Sequence, residues 1–433
     1  MKRRSYYLAL AAITIVTLAL TGVWNPFPAI WSWIDRSKPL ATPAAVWQQR
    51  LGGAARSVTI AGVAAVVEYR TRVEAFGLTA GVQLWERNAD WSAVAGGADD
   101  AVVVTGKLLT KGYEVVDPGS GVTRRTDTEA VAVWTYDSAI LDVRCAAARD
   151  CQLSAWAPRG TKPEWTVSTP GIGFVLFADN PDLPGTRTLE SGRVADTAAG
   201  PATLPGVIGF PADGKLHLVD TASGRVLRVV DNDRSRRVSV AGDRLLTVTA
   251  DARDGTCYFA VTAVDPATGQ QVWRRDGLNL RTAGDGTGCK PDQDPTGGTD
   301  VLLGVRPTGR EVLLDAHDGR VLWTGAAKQQ VLAVDDRYAL IRSADGRTVT
   351  ARSFGKGRTV WRRPVAAGAG AALSPYAAVV TEAKPDRITA LHPATGAVLA
   401  QVRSEARVVA VGRRGMIISA GRDLAYVSFA AST

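Results

Sequence analysis

The chain has 433 residues, 46% of them apolar and 21% charged, with 44 glycines and 4 cysteines, which excludes global disorder, a collagen-like rod and a disulfide-stapled miniature. Its 51 basic residues outnumber 42 acidic ones, and the excess of nine is carried by arginine, since lysines number only ten. Such a balance favours anionic surfaces, but a nucleic-acid reader gathers its charge into a patch or helix; no such cluster is present, and nucleic acid is not expected as a partner.

The first element is a membrane segment. After the basic start Lys2-Arg3-Arg4 no charge occurs from Ser5 to Ile34, and Tyr6 to Trp24 is strongly apolar. As a helix this stretch covers ~28 Å, close to the ~30 Å of a bilayer's hydrocarbon. The charge bias places residues 1–5 in the cytoplasm and everything after the helix outside it. Trp24, Phe27, Trp31 and Trp33 then suit the headgroup level, and Pro26 and Pro28 end the helix. Residues 6–34 are thus expected to contact membrane lipid, with 25–45 as an interfacial segment and linker. A cleaved leader shares the basic start, but its apolar region is usually shorter and ends in a small-x-small site. Either reading exports the remainder, where an even cysteine count points to disulfides. Four cysteines allow three pairings; Cys145–Cys151 and Cys257–Cys289 each close a local loop and are favoured.

Beyond residue 46 the chain repeats itself. The clearest unit is Ala263 to Trp273, with Asp265, Gly269 and Trp273 in fixed places. The pattern returns at 313–323, 390–400, 218–228 and 115–125, and in looser form at 73–85, 351–361 and 154–165. The turn glycines stand at 81, 121, 160, 224, 269, 319, 357 and 396, a mean spacing of 45 residues. Each unit reads as a hairpin: Asp accepts backbone N–H groups, Gly takes a positive φ, and Trp ends the second strand. Two further short strands precede most units, so each set is a four-stranded blade and the fold class is an all-β propeller over 46–430. The Trp is expected to pack between neighbouring blades. Val46-Trp47 reads as a lone fourth strand and the tail as three strands without a fourth, so the two ends are expected to meet in one blade. A literal count gives nine sets; eight is favoured, because the sequence between Gly160 and Gly224 is irregular.

The series of A-x-D-x-x-T-G-x-x-x-W motifs resembles the PQQ-like, BamB-like β-propeller repeat family, in the membrane-anchored or exported form of high-GC Gram-positive bacteria. The resemblance spans roughly 46–430 and implies the fold. Some members of that family hold pyrroloquinoline quinone and Ca²⁺ at the ring axis beneath a disulfide of adjacent cysteines, a pattern missing here.

Candidate chemistry is sparse. His392 takes the turn position held elsewhere by Asp117, Asp220, Asp265 and Asp315 and is expected to cap in the same way. His317 lies within such a turn and His217 on an alternating strand. Asp285, Asp292, Asp294 and Asp300 offer hard oxygen ligands, but the segment reads better as a polar surface loop. The proline-bearing stretch 179–206 reads as a long loop or flap, and Trp91 and Trp134 as core or exposed anchors. No residue is assigned a catalytic, cofactor-binding or metal-binding role, and no cofactor is expected. The expected function is non-enzymatic: a membrane-anchored extracytoplasmic scaffold for a protein or envelope component. A quinone-dependent or other funnel-site enzyme and a ligand sensor coupled to a membrane partner are the alternatives.

Overall fold

The computed structural model describes residues 40–41, 44–147, 150–170, 183, 185–189, 192–231, 237–253, 256–280 and 295–430. The expected anchor over 6–24 and its aromatic flank lie outside the described residues. Among the described residues no helix is long and apolar enough to cross a membrane.

Nine antiparallel sheets follow one another along the chain. Blade 1 comprises Ser57–Ala61, Ala64–Glu68, Val73–Gly77 and Gln83–Arg87. Blade 2 runs from Trp91–Ala95 to Thr123–Asp127, and blade 3 from Ala130–Thr135 to Pro163–Pro170. Blade 4 has three strands, Val207–Ala212, Lys215–Asp220 and Val226–Asp231. Blade 5 runs from Arg237–Ala241 to Gln271–Asp276, blade 6 from Asn279–Leu280 to Val321–Thr324, blade 7 from Gln330–Val334 to Arg358–Pro364, and blade 8 from Gly370–Leu373 to Val398–Val402. Blade 9 takes Arg407–Gly412, Gly415–Ala420 and Asp423–Ser428 from the tail and Ala45–Arg50 from the start. Trp47 pairs with Tyr426 across that junction, their rings 6.0 Å apart, so the two ends meet as the sequence suggests.

The expected eight blades are corrected to nine. A sheet of its own, with three strands among the described residues, follows the irregular stretch after Gly160. In blade 4 the Asp220–Gly224 turn joins the last two strands, as Asp117–Gly121 does in blade 2, so its three described strands hold the second, third and fourth places.

Closure follows from the packing. The described residues form nine buried apolar clusters, each bridging two successive blades and one of them bridging blades 9 and 1. An open row of nine sheets has eight such seams; nine seams make a ring. The cause is visible in single strands. Ala65 and Val67 pack toward blade 9 while Val66 packs toward blade 2, because alternate side chains leave opposite faces of a sheet. Buried on both sides, such strands are apolar without interruption. First strands of neighbouring blades touch one another and so converge on the axis, whereas the fourth strands, such as Gln271–Asp276, are largely exposed.

The repeat Trp locks adjacent blades, as expected. Its indole N–H donates to a carbonyl in the turn region of the next blade: Trp47 to Leu78 (2.9 Å), Trp85 to Pro118 (2.9 Å), Trp165 to Thr221 (2.7 Å), Trp273 to Ala316 (2.9 Å) and Trp361 to Pro393 (2.8 Å). The ring also lies flat on the turn glycine. A Cβ added to Gly396 (φ +72°) would stand 2.7 Å from the Trp361 ring, and one on Gly121 (φ +72°) 2.7 Å from Trp85. In two of the three copies where Trp is replaced, arginine takes the role; the third has Ala400. Arg125 reaches the Gly160 carbonyl at 3.2 Å and Arg228 that of Pro266 at 3.1 Å.

Two glycines separate the backbone requirement from the packing one. Gly357 (φ +60°) has open space where its Cβ would be, while Gly396 meets Trp361. Both Gly→Ala changes carry the left-handed penalty of ~1–2 kcal/mol, and Gly396→Ala adds an overpacking cost of ~1–3 kcal/mol. Chemical denaturation should therefore rank Gly396→Ala well below Gly357→Ala in stability; equal midpoints would refute the clasp. Trp361→Phe, which loses the indole N–H, should cost ~1 kcal/mol and be non-additive with Gly396→Ala.

Candidate functional site

The repeat aspartates are turn caps. Asp265 Oδ1 accepts the amides of Ala267 (3.0 Å) and Thr268 (2.8 Å) and the Thr268 hydroxyl (3.1 Å), and the Thr268 amide above all holds its pKa down. Asp220 accepts from Ala222 and Ser223, both at 2.9 Å, and Asp315 from His317 at 2.9 Å. Asp117 accepts from Gly119 and Ser120 and pairs with Arg124 at 2.9 Å. His392 departs from the expected side-chain cap. Its turn is closed by its carbonyl, which accepts the Gly396 amide at 2.8 Å, while its Nδ1 is buried without a hydrogen-bond partner. Backbone geometry alone suffices there, because Gly396 supplies the positive φ.

The three histidines stand on blades 8, 6 and 4 and do not converge. His317 bonds the Gly242 carbonyl (3.3 Å) and Arg244 (3.0 Å), tying blade 6 to blade 5. His217 is buried between Phe210 and Val229 in register, and burial, then Lys215, pushes its pKa down. No imidazole among the described residues is hydrogen-bonded to a hydroxyl or thiol nucleophile. Trp91 and Trp134 pack against inter-blade clusters, Trp134 edge-on to Phe210 at 5.8 Å. Asp285, Asp292 and Asp294 lie outside the described residues. The backbone amide of Asp300 donates to Asp336 at 2.6 Å, and burial, then Asp336, raises its carboxyl pKa. Among the described residues no cluster of three or more potential metal ligands occurs. Cys145–Cys151 is a disulfide, and Cys257 is also disulfide-bonded; Cys289 lies outside the described residues.

The described residues of the stretch read as a loop or flap form a strap along the inner strands. Arg187 pairs in parallel with Thr296 of blade 6, Val194 with Val408 of blade 9, and Ala202 with Tyr136 just after the first strand of blade 3. These are backbone contacts: the amide of Arg187 donates to Pro295 and that of Ala195 to Val408, both at 2.8 Å, and Val408 returns a bond to Arg193 at 2.8 Å. Inner strands present a free edge to the axis, and the strap satisfies those edges. Arg193 anchors it between blades 8 and 9, donating to the carbonyls of Glu382 and Ser404 (2.8 Å for the latter) and pairing with Asp386 at 3.3 Å. A short 3₁₀ turn, Asp196–Ala199, packs on the first strands of blades 9 and 1. Leu189, Val194 and Ala198 are thereby set against Ala333, Leu373 and Val411 in one mostly apolar pocket. Sequence reading missed this because the repeat offers no register for it; Pro and Gly marked only a connection.

The second irregular feature lies on one face of the ring. The hairpin between second and third strands is four to six residues per strand in most blades. In blade 3 it runs through Ile140–Ala147 and Asp150–Trp156, and in blade 5 through Arg244–Arg253 and Thr256–Val264. Because both join the same strand positions, the two ribbons leave the same face, on either side of blade 4. Each carries a disulfide-bonded cysteine near its tip: Cys145 pairs in register with Cys151, and Ala252 with Cys257. Tyr258, one residue further, is 53% exposed.

The Asp117 cap makes a pH-dependent contribution. Arg124, then the Ser120 and Gly119 donors, lowers its pKa to about 2 from an ordinary 3.8. A depressed carboxyl stabilises the fold above its unfolded pKa, and the effect is lost as pH falls toward 2. Asp117→Asn should cost ~1 kcal/mol at pH 7, allowing for solvent screening at this rim site, and the gap to the parent should close between pH 4 and 2. A gap independent of pH would show the carboxylate's charge to be immaterial.

The family model described as "Outer membrane protein assembly factor BamB" matches residues 259–431, from the third strand of blade 5 into blade 9. No curated relative matches the chain. Among solved structures it is similar to BamB from Moraxella catarrhalis, at 13% identity and a TM-score of 0.39 over 89% of this chain and 99% of that one. It is similar also to the computationally designed Ika8 protein (16% identity, TM-score 0.38, 79% and 98% covered) and to a europium-containing methanol dehydrogenase (11%, 0.33, 82% and 85%). The family match and the repeats together support a propeller of the BamB-like, PQQ-like kind.

Proposed function

We propose that this chain is a non-enzymatic, extracytoplasmic scaffold, held at the membrane by residues 6–24 and binding a protein partner through the ribbon face. The observation that carries the reading is the pair of disulfide-bearing ribbons beside blade 4, projecting from a ring otherwise made of short hairpins. Rigid scaffolds commonly place recognition on such projections. A crosslinked ribbon reaches a partner with little conformational entropy left to lose, which favours binding. The strap supports the same reading, since it occupies inner edges around the axis where a funnel-site enzyme would need room. The basic start and uncharged stretch to Ile34 supply the anchor. The family match agrees, its described members being factors of outer-membrane protein assembly.

A photo-crosslinking residue at Tyr258, introduced in living cells, should capture one protein reproducibly, and the same residue at Lys356 on the turn of blade 7 should not. Equal adducts from both positions, or none, would overturn the ribbon face. Protease added to spheroplasts should degrade the ring; protection would overturn the location.

A further inference from the structure

The seam between blades 6 and 7 departs from the clasp that joins other blades. Trp323 stands at the repeat position of blade 6, yet its indole N–H has no hydrogen bond among the described residues, and Gly357 of blade 7 has nothing within 4 Å of its Cβ position. The reason is in the blade 7 turn. Ser353 stands where Asp265 or Asp117 stands elsewhere, and the Gly357 amide closes on Phe354, three residues back, whereas Gly121, Gly224, Gly269 and Gly319 close on an aspartate four back. Ser353 also pairs with Arg358, extending the hairpin by one step. The tighter turn no longer covers the indole.

Beside the indole lies a groove of about 440 Å³, open to solvent, with Trp323 on one wall. The opposite wall is the face of blade 7 that looks back at blade 6. Thr350 pairs with Arg362, and Arg352 with Thr359. Directly paired residues share a face, so two guanidinium groups and two hydroxyls stand together there. Val349 and Ala351 alternate to the opposite, buried side. Arg352 is fixed: it donates to the carbonyls of Gly357 (2.8 Å) and Leu322 (3.3 Å), and its Nε is buried without a partner. Arg362 is exposed and has no acidic partner among the described residues. Asp345 at the groove's edge accepts from the Ser343 hydroxyl.

We propose that this groove binds an acidic saccharide, a pyranose unit bearing a carboxylate. A flat indole offers a stacking face for a sugar ring, Arg362 pairs with a carboxylate in fork geometry, and Thr350, Thr359 and Asp345 match a periphery of hydroxyls, since each threonine both donates and accepts. An acidic peptide would satisfy Arg362 but leaves the hydroxyl-rich wall without a matching partner. The site is remote in sequence from the ribbons, and the proposal does not depend on the scaffold reading.

The test uses the full chain in detergent, with tetragalacturonate, maltotetraose and hexaglutamate as probes, read by tryptophan fluorescence and calorimetry. Tetragalacturonate should bind one site saturably, with maltotetraose and hexaglutamate at least tenfold weaker. Arg362→Ala should weaken tetragalacturonate at least tenfold with an unchanged melting temperature, and Trp323→Ala should abolish binding together with the fluorescence change. Absence of saturable tetragalacturonate binding, an Arg362→Ala affinity equal to the parent's, or hexaglutamate binding as tightly would overturn the proposal.

Discussion

The ring depends on one contact: an indole of one blade lying on the turn glycine of the next while its N–H reaches that blade's backbone. Glycine is required twice over. The turn needs a φ near +70°, and the indole needs the space a side chain would fill, as at Gly224, where a Cβ would come within 2.5 Å of Trp165. Stacking, hydrogen bonding and turn geometry are thus met by the same two residues, which is why the pair recurs together along the chain. The seams form a graded series. Of the nine seams five carry the full Trp clasp, two carry Arg125 or Arg228 instead, the one at Trp323 is open, and the one after blade 8 has Ala400 at the repeat position.

Substitution at a seam changes its chemistry as well as its fit. Arg125 lies over the Trp156 ring at 4.0 Å and donates to the Tyr113 hydroxyl, which donates to the buried Asp142 at 2.7 Å. Burial drives the Asp142 pKa upward. An arginine at the clasp therefore draws a polar network into the seam between blades 2 and 3 beside its apolar cluster.

Much of this was legible because a repeat converts local chemistry into global shape. Asp-x-x-x-Gly fixes a hairpin, alternation fixes two buried faces, and a blade split between the two ends closes the ring, although the irregular run after Gly160 favoured eight blades over the nine present. Reading failed where a residue's role depended on something outside its repeat. The run after Gly160 carries no periodicity that could reveal three pairings to blades 6, 9 and 3. His392 looked like a cap because of its place in the motif, yet the backbone closes that turn unaided. Trp323 fits the motif as well as Trp273 does. Only the hydrogen bonding of the following turn shows that one is clasped and the other is not.

The pairing of Ala45–Arg50 with Asp423–Ser428 also orders the assembly in time. One strand of the last sheet is synthesised almost at the outset, and its partner emerges more than 370 residues later, so eight sheets can zip up successively while the ninth stays unpaired. A growing chain would accumulate stacked sheets with two raw edges until the final segment arrived. Until Tyr426 is made, Trp47 lacks the ring it stacks on in the finished wheel.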